Sequence, residues 1–320
     1  MAEASPSRAE LEAAHCWEAS DHVPRRPATT AFRRAARLRQ ARWRVANGLP
    51  IGSQPMRPRP GRPARPVGSR IDLEHARAAG ANFVTDAART AVAERLAVTE
   101  AHQSIDHQGL WADLLSSSAL AFNLFADLAA DPDRATEALR TWFGDVPGRV
   151  REVRFLHSPG RLDPAYLTSL RHFDAAFVLD LAPSRPGIVA VSVGYHERNK
   201  AELPRPDNHD RYREVAETSG VFRPGAVDEL LRRDDRCVLW LQHLLQLSML
   251  QHADAPWSWG RFATVHPAGN PDLADLHERY RSVLVDPMLA PSITLEALLD
   301  ADVLPAATTG AIRDRYLGTG

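Results

Sequence analysis

The chain has almost no lysine. Of its 39 basic residues Lys200 is the single lysine, and all the others are arginine. Chemistry that needs an ε-amino group therefore has one candidate. Cysteine is nearly missing too. Cys16 and Cys237 are the only two and lie far apart, which excludes a disulfide framework and a thiolate zinc cluster. No run approaches 18 uncharged apolar residues, so no membrane-spanning helix and no membrane partner are expected. The first residues lack the basic-then-apolar pattern of an export signal, so a cytoplasmic location is the expectation. No internal repeat is evident. What remains is a chain of 320 residues with a net charge of −1, long enough for one large domain or one domain with an arm.

Acidic residues are scarce in one place. Between Asp21 and Arg70 there are thirteen arginines and one acid, Asp21 itself. Thr30 to Asn47 can form a helix displaying Arg33, Arg34, Arg37, Arg42 and Arg44, with Trp43 for packing. Pro50, Pro55, Pro58, Pro60, Pro63 and Pro66 crowd the second half and predict an extended path. Arginine suits phosphate oxygens because its planar fork donates two hydrogen bonds at once. Residues 1–70 are therefore expected to be a basic, partly extended arm that contacts nucleic acid, or else a solvated arginine-biased linker.

Residues 71–320 carry alternating helix and strand patterns, so this part is expected to be α/β. Helical patterns cover Asn82 to His102, Leu110 to Leu128 and Asp131 to Thr141, the last with Asp133 as its cap. A strand is expected over Val150 to Phe155. A long, nearly all-apolar helix is expected over Arg236 to His252, capped by Asp235, followed by a strand over Arg261 to His266. Asp207, His209 and Asp210 lie in a polar stretch that reads as a metal site or a solvated loop. Asn123 reads as a satisfied core amide or a cleft residue. Gln242, Gln246 and Gln251 read as a polar stripe or as site residues.

The most informative stretch is FDAAFVLDLAPSRPGIVAVSVGYHE, Phe173 to Glu197. Two strands, His172 to Leu181 and Ile188 to Tyr195, flank the turn residues Pro183 to Gly187. Period-two alternation places Asp174 with Ala176 and Val178, and places Ser192, Gly194 and His196 together.

This hairpin resembles the catalytic hairpin of the PD-(D/E)XK nuclease superfamily, in which an aspartate on one strand faces an acid-x-lysine on the next. The closer resemblance is to a group of bacterial restriction-endonuclease-like proteins whose second strand reads roughly I-E-V-K-Y-x-E. Val191, Val193, Tyr195, Glu197 and Asp174 fit that pattern. Further anchors occur in the same order: the arginine-rich opening with GLPIG (Gly48 to Gly52), SSSALAFNLFADL (Ser116 to Leu128), HPAGN (His266 to Asn270) and TLEALL (Thr294 to Leu299). The resemblance implies a restriction-endonuclease-like central mixed sheet flanked by helices, DNA as partner, and Mg²⁺ as cofactor. It is compatible with a homodimer.

Two positions depart from the pattern. Ser192 stands at the metal-binding acid and Gly194 at the lysine, so the centre looks emptied and Mg²⁺ is not expected to bind tightly. Asp174 remains as the one first-motif acid, either a weak metal ligand or a strand-end hydrogen-bond acceptor. Glu197 and Lys200 are possible substitutes, with His196 beside them. Asp180 shares the face of Asp174 but lies about 20 Å away along an ideal strand. Three functions follow as expectations: a nucleic-acid-binding, catalytically impaired member of the superfamily; an active Mg²⁺-dependent endonuclease with a relocated acid or lysine; or a protein-interaction module.

Overall fold

In the computed structural model of the chain, residues 5–18, 21, 27–54, 64–182, 185–254 and 257–318 are described. Five strands make the central sheet: β3 (Arg149–His157), β4 (Phe173–Ala182), β5 (Arg185–Val193), β6 (Trp259–His266) and β7 (Ser292–Thr294), in that spatial order. A separate pair is made by β1 (Ile51–Ser53) and β2 (Pro66–Ile71). The first three strands of the large sheet run antiparallel, and β5, β6 and β7 run parallel. The sheet is mixed, as expected. Parallel neighbours need long crossovers, and here the crossovers carry the Cys237–Gln251 and Pro271–Arg281 helices.

Valine- and alanine-rich strands with both faces buried separate two cores. Ala175, Phe177, Leu179, Val189, Val191 and Val193 face the first, built on the Ser117–Ala129 and Pro132–Phe143 helices. Ala176, Ile188 and Ala190 face the second, built on the His209–Ser219, Cys237–Gln251 and Pro271–Arg281 helices. The long helix is central because nearly every residue of it is buried, as its encircling leucines require.

Several boundaries differ from expectation for local reasons. The run Leu110 to Leu128 is two helices, His107–Ala112 and Ser117–Ala129. Ser116 ends the gap between them by accepting the Ala119 N–H. Asp131, not Asp133, caps Pro132–Phe143, with proline at the first helical position. Asp235 does not cap the long helix. Asp234 accepts the Arg236 N–H at 2.7 Å, and Asp235 pairs with Arg279.

The arginine-rich helix, Pro27–Ala46, is packed on the body. Ala36 is fully buried in the first core with Phe32 against it, and Gln40 Nε2 donates to the Tyr195 hydroxyl and to the Arg315 carbonyl. The boundary expected at residue 70 falls within β2. The proline-rich stretch 55–63 and Arg25 and Arg26 lie outside the described residues, as do Pro183, Ser184 and Pro256. No described helix is long and apolar enough to cross a membrane.

Candidate active site

Asp174 sits at the fork where β4 and β5 separate. The last ladder pair before it is Ala175 with Val191, so the register continued by one sets Ser192 opposite Asp174. The expected alternation breaks here. Phe173 and Ala176 both face the second core while Ala175 faces the first. The neighbouring strand is irregular at the same level: Leu156, opposite Asp174 between the pairs Phe155–Ala175 and His157–Phe173, has a φ of 48°. A leucine with left-handed backbone inside a strand is strained. Arg95 Nε donates to the Phe155 carbonyl, and Arg95 and Arg161 both donate to that of Leu156. Glu100 pairs with both guanidinium groups.

That distortion turns the Asp174 carboxylate towards the first core. One oxygen accepts the Val193 N–H at 2.9 Å, the Ser118 hydroxyl lies beside it, and the charge of Glu197 acts on it. Burial pushes the Asp174 carboxyl up to about 7; the Val193 N–H opposes the rise, Glu197 adds to it, and Ser118 opposes it. Glu197 is itself held. It accepts the Ser117 hydroxyl at 2.5 Å and the Tyr195 N–H at 2.6 Å, so both its oxygens are engaged. The HPAGN segment explains why the chain turns back here. Asn270 is fully buried, caps the Pro271–Arg281 helix, and donates to the carbonyls of Tyr195 and Glu197.

Asp174 adjoins a cleft of about 340 Å³ lined by Asp113, Ser117, Ser118, His172, His196 and Glu197 among others. Asp113 pairs with Arg70 at 2.9 Å. Burial raises its carboxyl above the usual range, Arg70 and His196 pull the other way, and Glu197 adds to the rise. His172 on the opposite wall is held neutral, its ring pushed down to about 4 by burial and then by Arg161. Asp113, Ser117 and Ser118 are absent from the sequence-derived site. The signal for them was the Asp-Leu-Leu-Ser-Ser-Ser run, which reads as a helix break followed by a cap.

The other expected site residues are dispersed. A Cβ at Gly194 would lie 2.7 Å from Leu273 of the Pro271–Arg281 helix, so that position faces the second core, away from Asp174. Alternation from Ala190 places Ser192 on the same side. His196 reaches the cleft, with Nδ1 buried and unpartnered. Lys200 is exposed. Asp180 pairs with Arg151, and Glu202 with Arg171. Asn123 is a satisfied core amide, joined to Asn82, Val84 and Tyr316. Gln251 donates to the Val215 carbonyl, away from the cleft.

Of the arginines expected on phosphate, Arg37 is buried against Asp21 and Glu18, and Arg34 also binds Asp21. Arg44 donates to the Gly68 and Leu49 carbonyls. These three are committed inside the protein because a buried guanidinium must have partners. Arg33 is partly exposed, and Arg42 is exposed with Glu10 beside it.

A Mg²⁺ ion requires several oxygen ligands in octahedral order. Among the described residues no three His, Cys, Asp or Glu side chains are grouped to hold a metal. Both oxygens of Glu197 and one of Asp174 already accept hydrogen bonds. The residues as arranged do not fit the ion.

Comparison with known proteins agrees with the fold. No curated protein and no solved structure gives a significant match to the chain. A family profile described as the PD-(D/E)XK nuclease superfamily matches residues 27–318. With the mixed sheet, the Asp174 strand and nearly the whole chain in agreement, the protein belongs to the PD-(D/E)XK nuclease superfamily.

Proposed function

We propose that the chain binds nucleic acid and does not cleave it. The observation that carries this reading is the occupancy of the carboxylates around Asp174. Both oxygens of Glu197 and one of Asp174 accept hydrogen bonds from Ser117, Tyr195 and Val193, while the acid and lysine positions of the motif hold Ser192 and Gly194. Neither Ser192 nor Gly194 can supply a charge to bind the metal or balance a metal-activated water. Arg42, exposed with Glu10 beside it, leaves positive charge on the outer face of the Pro27–Ala46 helix for phosphate contact. DNA is the partner the superfamily favours.

A second reading has one observation in its favour: the acid whose charge acts on Asp174 is Glu197, which also acts on Asp113. In that reading Glu197 replaces the missing acid of an active Mg²⁺-dependent endonuclease.

Duplex binding across a salt series, with plasmid nicking in Mg²⁺ and Mn²⁺, separates these readings. Expected are a steep salt slope, reduced by about 0.9 in Arg42→Ala if that arginine holds one phosphate, and no nicking. Robust nicking abolished by Asp174→Ala would install the second reading. A flat slope would remove both and leave a protein-interaction module.

A further inference from the structure

A second pocket, of about 500 Å³, lies beyond His172, which lines both it and the candidate cleft. Leu170, Leu203 and Leu241 give it apolar walls, and Arg171 and Arg205 bring positive charge, with Glu202 paired to Arg171. Leu170 and Leu203 are among the few large apolar side chains left exposed, at 42% and 52%. Gln242, on the rigid Cys237–Gln251 helix, also lines it and is only 7% exposed. Its Nε2 donates to the His172 carbonyl at 2.9 Å. A carbonyl can only accept, so this bond fixes which end of the amide is nitrogen. The remaining oxygen, Oε1, is buried without a partner. An unmatched buried acceptor is costly, and such groups are few in native proteins.

We propose that this pocket holds a nucleobase. Apolar walls suit the faces of a planar ring, the free Gln242 oxygen suits an N–H on its edge, and the two arginines suit an adjoining phosphate. Two sources share that chemistry: a free nucleoside or nucleotide, and a base turned out of a strand lying along the adjacent cleft. The inference rests on the nucleic-acid reading only for the second source. The same carbonyl bond joins the pocket to His172, the residue that precedes the strand carrying Asp174.

The test uses the full chain and two probes. Adenosine and cytidine are titrated while the Gln242 side-chain amide is followed by NMR. Separately, a duplex with one 2-aminopurine is followed by fluorescence. Expected are saturable amide shifts, and binding weakened about tenfold in Gln242→Leu, as loss of one hydrogen bond of ~1.4 kcal/mol implies. Leu203→Asp, at an exposed position, should weaken the same binding without perturbing the fold. A rise in 2-aminopurine fluorescence, reversed by adenosine, assigns the base to a strand. Nucleoside binding with no fluorescence change assigns it to a free ligand. If neither probe responds, or both variants bind as the parent does, the pocket holds water only and the inference falls. Duplex binding with a normal salt slope would then still leave the proposed function standing.

Discussion

Asp174 and Ser192 are opposite each other in neighbouring strands yet belong to different sides of the sheet. Asp174 is turned towards the Ser117–Ala129 helix, among hydroxyls, an amide N–H and the charge of Glu197. Ser192 and Gly194 share a side with Leu273 and an aliphatic core. The charge of Glu197 acts on both Asp174 and Asp113, on the side where the acid-x-lysine positions do not point. Restoring the motif letters is a different operation from restoring a site.

The largest expected effect breaks the comparison at Asp174. A carboxyl raised from 3.8 to about 7 by folding binds its proton more tightly in the folded state. Its penalty is absent below the unfolded value, grows as pH rises through the window, and is complete above about 7. Asp174→Asn is therefore expected to stabilise the protein at pH 8, on the order of 3–4 kcal/mol. The gain should shrink to nothing by pH 4. Urea unfolding of both proteins across that range checks it. A gain that stayed constant with pH would mean Asp174 is not the group that titrates.

Next is the opposite side. Gly194→Lys forces Leu273 aside, and overpacking of this kind costs roughly 1–3 kcal/mol. The double variant Ser192→Glu with Gly194→Lys is expected to gain no Mg²⁺ site with Asp174, because both side chains start on the second-core side. Calorimetric titration with Mg²⁺ decides the point, and tight binding lost on adding Asp174→Ala would show that the strand can rotate its face.

A smaller effect sharpens the contact between the acids. Glu197→Gln removes a charge that raises Asp174, so the carboxyl resonance of Asp174 should titrate at lower pH than in the parent. An unmoved midpoint would place Glu197 too far away to matter. Smallest is Lys200→Ala. The side chain is exposed, so stability should change by no more than about 0.5 kcal/mol. Nucleic-acid binding should lose at most one phosphate contact, read as the salt slope.

The hairpin and the central helix were legible because burial imposes period two on strands and an encircling apolar pattern on a buried helix, whereas the mixed sheet was implied only by the family resemblance. Val189, Val191 and Val193 announce their face in one line of sequence. The direction of Asp174 was not legible. It depends on Leu156, whose left-handed backbone is held by arginines about 60 residues earlier and five residues later, and no local pattern encodes that. Glu197 was visible as a possible substitute, but its grip on Ser117 spans 80 residues. The arginine-rich helix misled for a related reason. Composition reports charge but not partners, and Asp21, the one acid in that stretch, is where Arg34 and Arg37 converge.

Tyr195, two residues past the second motif strand, is tied to segments far away on either side in sequence. The Tyr195 hydroxyl donates to the carbonyl of Tyr316, 121 residues later, and accepts from Gln40, 155 residues earlier. Arg315 lies under the Trp43 ring and donates to the Asn82 carbonyl. On a ribosome, the hairpin emerges long before residues 313–317 that anchor it. Contacts this distant in sequence are slow to close, so β4 and β5 can pair while the acids beside them still lack their final setting. Residues 313–317 must be synthesised before Tyr195 acquires its Tyr316 partner. A nascent chain stalled before them carries the hairpin without that anchor.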